Sequence, residues 1–348
     1  MSSEPNTSGR SRAGLLLNLG VGLLISAVCF VAATRGTSLE QLRAAFGAMG
    51  LSWLLVGFAA QVGAHGLRLW RWVVALRRVG PIEAPVALDV GALGCMATFV
   101  LPARLGELVR PTLIAQTEAI GAEGGVATIV IERLVDGVFI SLGLVLALAL
   151  LPTGATASVE MAAVYGTAGL FASASLGLLF GALLYPRLRG GLEAMLGRVS
   201  GALAERVSEV LGRFFEAVTL VGRSRAMVAY LAYTVGIWGL TGASLWAFCA
   251  AAPEVAGVAT PGVALLVMCL AVLGSAIPSA PTNLGVFHWA VVFGLGLFGV
   301  APEQGLAVGT VFHLAILGGN LLYGALGWAH GTWTGSLREL ARGLWARG

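Results

Sequence analysis

The chain has 348 residues, of which 57% are hydrophobic and 11% charged, and its mean hydropathy is +0.89. Soluble domains carry about 25% charged residues, so the composition excludes an ordinary soluble enzyme and predicts an all-α polytopic membrane protein. The formal charge of +4 rests on 21 basic residues, every one arginine. The basic balance suits anionic headgroups at a cytoplasmic face, and nothing in it points to nucleic acid.

Met1–Ala13 reads as a short cytoplasmic tail carrying Arg10 and Arg12. Gly14–Thr34 is apolar for long enough to cross about 30 Å of hydrocarbon at about 1.5 Å per residue. That length argues for a retained first span rather than a signal peptide. Ser38–Gly50 predicts a short amphipathic helix with Leu39, Leu42, Ala45 and Phe46 on one side. Leu51 opens a second span that ends in His65, Arg68, Trp70, Arg71, Trp72, Arg77 and Arg78. Tryptophan and snorkelling arginine are usual anchors at headgroup level, and the cluster puts this end in the cytoplasm. Arg35 and Arg43 in the outer loop count the other way and are outweighed.

Ala84–Leu101 is apolar apart from Asp89 and stops at Pro102, and Arg104–Ile120 is too polar to span. The pattern predicts a re-entrant hairpin near residues 84–120, which is tolerated at membrane depth only inside protein or beside water. Gly124–Leu151 reads as a long helix outward and Val159–Tyr185 as a helix back. Pro186–Arg225 carries seven arginines with apolar residues at helical spacing, predicting an amphipathic helix on the cytoplasmic surface. Ala226–Ala250 crosses again. Gly262–Ile277 and Val286–Val300 flank Pro278-Ser-Ala-Pro-Thr-Asn-Leu-Gly285, a second re-entrant hairpin near residues 262–300, and Gly305–Thr332 is the last span. A basic tail over residues 336–348 puts the C-terminus inside. The expected architecture is one integral membrane domain of six full spans plus two re-entrant hairpins, or eight spans. Its halves, residues 14–185 and 226–335, form an inverted repeat of the kind that places a transporter's site at mid-membrane.

Two polar stretches interrupt the apolar sequence, Leu101-Pro-Ala-Arg-Leu-Gly-Glu-Leu-Val-Arg-Pro111 and Ile131-Glu-Arg-Leu-Val-Asp-Gly137. They place Arg104, Glu107, Arg110, Glu132, Arg133 and Asp136 in membrane-buried surroundings, where each charge costs about 2.5–3.5 kcal/mol. Such groups must face inward, pair, or line a wet cavity. Glu132 and Asp136 are four apart and share a helix face, and Arg133 is spaced to pair with Asp136. His288 and His313 are the polar groups of the second half and titrate near neutral pH when unperturbed. His65 and His330 fall near predicted span ends and read as interfacial. The four cysteines (Cys29, Cys95, Cys249, Cys269) lie in apolar stretches with no metal spacing. No triad order, P-loop or dinucleotide fingerprint appears, so no cofactor and no metal are expected.

With His65-Gly-Leu-Arg-Leu-Trp-Arg-Trp72 and Pro281-Thr-Asn-Leu-Gly-Val-Phe-His288, these motifs stand in the order and spacing of a known family. The chain resembles the lysylphosphatidylglycerol synthase transmembrane-region family, the flippase-like membrane part of multiple peptide resistance factors. The resemblance covers nearly the whole chain and implies a multispan inner-membrane protein that moves or handles lipids between leaflets. Thr98 stands where members often carry Asn, His288 where many carry Glu, and Thr282-Asn283 replaces the usual glycine-rich turn. The soluble aminoacyl-transferase module of the resistance factors is expected to be absent, so amino-acid transfer does not carry over. A homo-oligomer and a separate synthase partner are both compatible with this reading.

The functional expectation is a flippase or translocase for a polar-headed phospholipid or lipid-linked substrate. Arg104, Arg110 and Arg133 would hold a phosphate through planar donor forks. Glu107, Glu132 and Asp136 would balance them or meet a headgroup amine, and His288 and His313 would complete the path. Three acids against three bases suit a zwitterionic or cation-modified headgroup. Two alternatives stay open. One is an intramembrane transferase using Glu107 or Asp136 as general base on a lipid-linked donor; the other is a non-catalytic scaffold whose arginine-rich amphipathic helix over residues 186–225 recruits partners. The plainer reading of the charges themselves is that Arg133–Asp136 and Arg104–Glu107 are structural pairs stapling the hairpin to the helix.

Overall fold

The computed structural model describes residues 7–100, 106–116, 120–151, 225–277 and 279–330, with scattered positions between 162 and 205. The described residues are helical, and no strand occurs among them. α1 (Thr7–Thr34) contains the expected first span, and α2 (Leu39–Gly47) leaves it at a 76° bend. Ser38 starts α2 through a capping box: its hydroxyl accepts the Gln41 N–H while the Gln41 side chain accepts the Ser38 N–H. Ala45 is buried and Leu42 half-buried, whereas Leu39 and Phe46 are exposed, so only part of the predicted apolar side is used inside the chain.

α3 (Leu51–Val79) and α7 (Arg225–Ala251) are the most extensively packed pair of helices and form the central pillar. Between them in sequence stand α4 (Ala84–Val100), α5 (Val109–Ala115) and α6 (Ala122–Ala149). After α7 come α8 (Pro253–Ala256), α9 (Pro261–Gly274), a 3₁₀ turn at Pro281–Asn283, α10 (Val286–Gly296) and α11 (Pro302–Ala329). Proline occupies the first turn of α8, α9 and α11, where its missing N–H is no loss. Each half therefore reads as a long helix, a short apolar helix, a turn, a second short helix and another long helix.

The contacts cross between halves. α4 packs on α11 and α9 packs on α6, while α4 also touches α5 and α9 touches α10. α1 lies along α10, and α4 touches the Pro281–Asn283 turn. The largest apolar core gathers Phe248, Phe312, Phe287, Leu245, Leu266 and Leu295, and a second one gathers Trp72, Leu76, Val90, Leu113 and Ile114.

Ala226–Ala251 and Pro302–Ala329 are long and apolar enough to cross a membrane, and the bent pair of α1 and α2 adds a third candidate. α3 and α6 match them in length, with 29 and 28 residues, but each carries a stripe of charge. Ala84–Thr98 and Pro261–Gly274 are apolar and shorter. The first hairpin departs from expectation in its return arm, where a 3₁₀ turn over residues 106–108 leads into α5 and helix continues only to Ala115. The predicted span over residues 159–185 and the amphipathic helix over residues 186–225 fall largely outside the described residues.

Candidate functional site

Three helices present polar residues at intervals of three or four, which places them on one face. On α6 the stripe is Thr128, Glu132 and Asp136; on α7 it is Tyr230, Thr234 and Trp238; on α3 it is Arg68, Arg71 and Trp72. The stripes meet in the interior. Arg71 is fully buried and engages Asp136 through both guanidinium ends, Nη2 donating to Oδ2 at 3.0 Å. Arg71 Nη1 also donates to Thr234 Oγ1 at 3.1 Å, and the guanidinium lies 5.2 Å over the Tyr230 ring. The Trp238 indole N–H donates to Asp136 Oδ1 at 3.1 Å. Both oxygens of Asp136 are thus occupied by donors, which leaves it poorly placed to act as a general base.

Arg110 enters from α5. Its Nη1 donates to Glu132 Oε2 at 3.0 Å, and the other Glu132 oxygen faces Arg71 Nη2 at 3.6 Å. The Arg110 guanidinium lies 5.4 Å over the Trp72 ring, whose own N–H is held by Thr128 Oγ1 at 2.9 Å. Arg110 reaches this place through a notch: a side chain at Gly94 of α4 would collide with its stem. Arg110 and Glu132 are 4% and 2% exposed, so desolvation is severe and only close pairing keeps both charged. Toward the surface, Arg133 Nη2 donates to Glu107 Oε1 at 3.1 Å, and these side chains are 51% and 26% exposed.

The second hairpin carries its own polar pair. His288 and His313 are buried, with rings 5.0 Å apart edge to face. His313 Nε2 lies 2.8 Å from the Thr282 carbonyl, and Phe287 stacks on the His313 ring. Thr282 and Asn283 both take positive φ (63° and 58°), an uncommon conformation for residues with a side chain and one that concentrates at functional turns. Gly285, with φ +89°, has no room for a Cβ against the Ser26 carbonyl of α1, and Ser26 Oγ accepts the Ala280 N–H at 2.7 Å.

Of the residues singled out in sequence, Glu107, Arg110, Glu132, Arg133 and Asp136 come together; Arg104 lies outside the described residues. The pairing differs from expectation: Asp136 is taken by Arg71 and Arg133 by Glu107 in place of the anticipated Arg133–Asp136 pair, while the anticipated Arg104–Glu107 pair falls outside the described residues. His288 and His313 form a separate pair. Arg71 was misassigned to the headgroup layer, as were Trp72 and His65. All three are buried, and His65 accepts at Nε2 from the Asn320 amide of α11 at 2.7 Å while its Nδ1 bonds the Gln61 carbonyl. The overlooked signal was the spacing of Arg68 and Arg71, three apart on α3, opposite Tyr230, Thr234 and Trp238 at intervals of four on α7. A groove of about 480 Å³ opens elsewhere, between α3, α4 and α11, with Trp70, Tyr323 and the Asp89–His330 pair (3.0 Å) on its walls. Among the described residues the ions of the cluster pair with one another, and Glu107 and Arg133 are its exposed members.

A family model described as the lysylphosphatidylglycerol synthase transmembrane region matches residues 20–324. The chain belongs to this family. The match runs from α1 to α11, so the ionic cluster and both hairpins lie inside the family region, and the chain is a multi-pass membrane protein of a group tied to lipid handling. No curated protein matches it.

Proposed function

We propose that this member of the lysylphosphatidylglycerol synthase transmembrane-region family is a lipid translocase, moving a polar-headed phospholipid or lipid-linked substrate between leaflets of a bacterial inner membrane. The observation that carries the reading is the interior ion cluster. Arg71, Arg110, Glu132 and Asp136 come from three helices and are nearly unexposed. Buried ion pairs stabilise poorly compared with apolar packing, and ionisable groups at membrane depth are functional by default. Arg104 belongs on this path by its place in the same motif, and His288 and His313 line its second half.

The crossed packing of α4 on α11 and α9 on α6 supports an inverted repeat built around two re-entrant hairpins, and the arginines of both tails favour cytoplasmic termini. The described cluster holds a different charge balance from the sequence expectation. Arg71, Arg110 and Arg133 pair with Glu132, Asp136 and Glu107, and Arg68 lies beside them over the Trp238 ring. Four bases with three acids suit a phosphate better than a cation. The closed pairs correspond to an occluded state, and transport requires them to exchange partners.

Reconstitution into vesicles with headgroup-labelled phospholipids tests the reading. The expected result is protein-dependent leaflet transfer that Arg110→Gln abolishes; absence of transfer across a panel of headgroups, with and without a pH gradient or membrane potential, would count decisively against it.

A further inference from the structure

We propose that Glu132 is a resident stand-in for a phosphate, and that the place it fills between Arg71 and Arg110 is an anion seat for a phosphodiester. The inference rests on reading the cluster as a lipid-headgroup site, and it goes further by naming which acid is exchanged and for what.

The first ground is the geometry of the carboxylate. Its two oxygens are divided between guanidinium groups from different helices, 3.0 Å from Arg110 Nη1 and 3.6 Å from Arg71 Nη2. The two non-bridging oxygens of a phosphodiester match planar donor forks in the same way. The second ground is an excess of donors. The Nε–H groups of Arg68, Arg71 and Arg110 are each buried with no acceptor among the described residues. An unmet buried donor costs about 1–3 kcal/mol, more when it is charged. Two of these three, Arg71 and Arg110, are the guanidinium groups that hold Glu132, and a phosphate brings more oxygens and lone pairs to them than a carboxylate does. The third ground is the difference in fastening between the two interior acids. Asp136 takes both ends of Arg71 and the Trp238 indole, while among the described residues Glu132 has one hydrogen-bond donor, Arg110. Asp136 is therefore the fixed acid and Glu132 the exchangeable one.

The exchange has a mechanical result. Arg110 sits on α5, which packs on α4, and Glu132 sits on α6. Handing Arg110 from Glu132 to a phosphate removes one tie between the first hairpin and α6, leaving the Arg133–Glu107 pair and the packing of α5 on α6, so ligand arrival loosens the hairpin without freeing it.

The ligand chemistry, a phosphate oxygen pair, is offered both by a lipid headgroup and by free phosphate. Dissociation constants would be measured on the purified full-length protein in zwitterionic nanodiscs, for dioleoylphosphatidylglycerol by native mass spectrometry and for inorganic phosphate by calorimetry. Glu132→Gln is expected to tighten lipid binding about tenfold, Glu132→Asp by a smaller factor, and Arg110→Gln to lose it; Glu254→Gln, in α8, is the unaffected control. Tightening for lipid and inorganic phosphate alike assigns the seat to phosphate in general; tightening for lipid alone assigns it to the headgroup. Lipid binding that is unchanged or weakened in both Glu132 variants overturns the proposal. Where Glu132→Gln fails to fold, as read by thermal unfolding, Glu132→Asp alone decides. Leaflet transfer that fails while this tightening holds would defeat the translocase reading and leave the seat intact.

Discussion

Arg71 shows what a single side chain does here. Its guanidinium is satisfied by Asp136 and Thr234 and backed by Tyr230, and removing one partner of such a pair strands the other in a medium that cannot hydrate it. Asp136→Asn is expected to cost about 3–5 kcal/mol, read as a lowered thermal unfolding midpoint. Arg71→Met combined with Asp136→Leu should recover most of that loss, because an apolar pair leaves no charge behind. A smaller change makes the same point about Arg110. Gly94→Ala adds one methyl where the arginine stem passes, and it should reproduce the binding defect of Arg110→Gln with every ion still in the sequence. At this scale the sequence was half legible. The acids and bases of the two polar motifs were evident because charge is conspicuous among leucines. Arg71 was not, because an arginine between two tryptophans looks the same at a membrane interface and in a helix-packing seam. Only its partners distinguish the two, and Asp136 is 65 positions away.

Helices were the most readable level, and their ends reveal why. The breaks fall where proline or glycine forbids continuation: after Val79 at Gly80-Pro81, and after Gly274 before Pro278. The exception is α5, which halts at Ala115 although the run to Ile120 contains no proline after Pro111. α5 holds Leu113 and Ile114 against Trp72 and Val90, and Ile120 joins the same core from beyond its end. Close approach governs both hairpins. A Cβ at Gly106 would collide with the backbone of Ala97 and Thr98, and one at Gly285 with Ser26 of α1. Gly106→Ala should therefore prise α5 from α4 and cut lipid binding at least tenfold. Gly285→Ala should loosen α1 and raise protease cleavage near residue 280 in a time course against the unsubstituted protein. Ser26→Ala, which removes one hydrogen bond and no space, should give a milder version of the second effect, about 1 kcal/mol.

The assembly of the whole chain was the least legible, since no local signal says that α4 belongs on α11 or α9 on α6. The crossed arrangement makes the halves interdependent. Fragments divided between residues 186 and 224 should each be degraded when expressed alone and should recover a folded complex when expressed together, which size-exclusion chromatography of the tagged pair would reveal. The same weave bears on the order of movement. Each short apolar helix is hooked behind the long helix at the far end of the other half, so withdrawing one hook drags on the partner that secures its counterpart. Simultaneous withdrawal would have to break both clasps together, whereas alternating withdrawal breaks one at a time. In the proposed translocase such interlacing would favour taking the two hooks in turn, since α4 is held by α11 and α9 by α6.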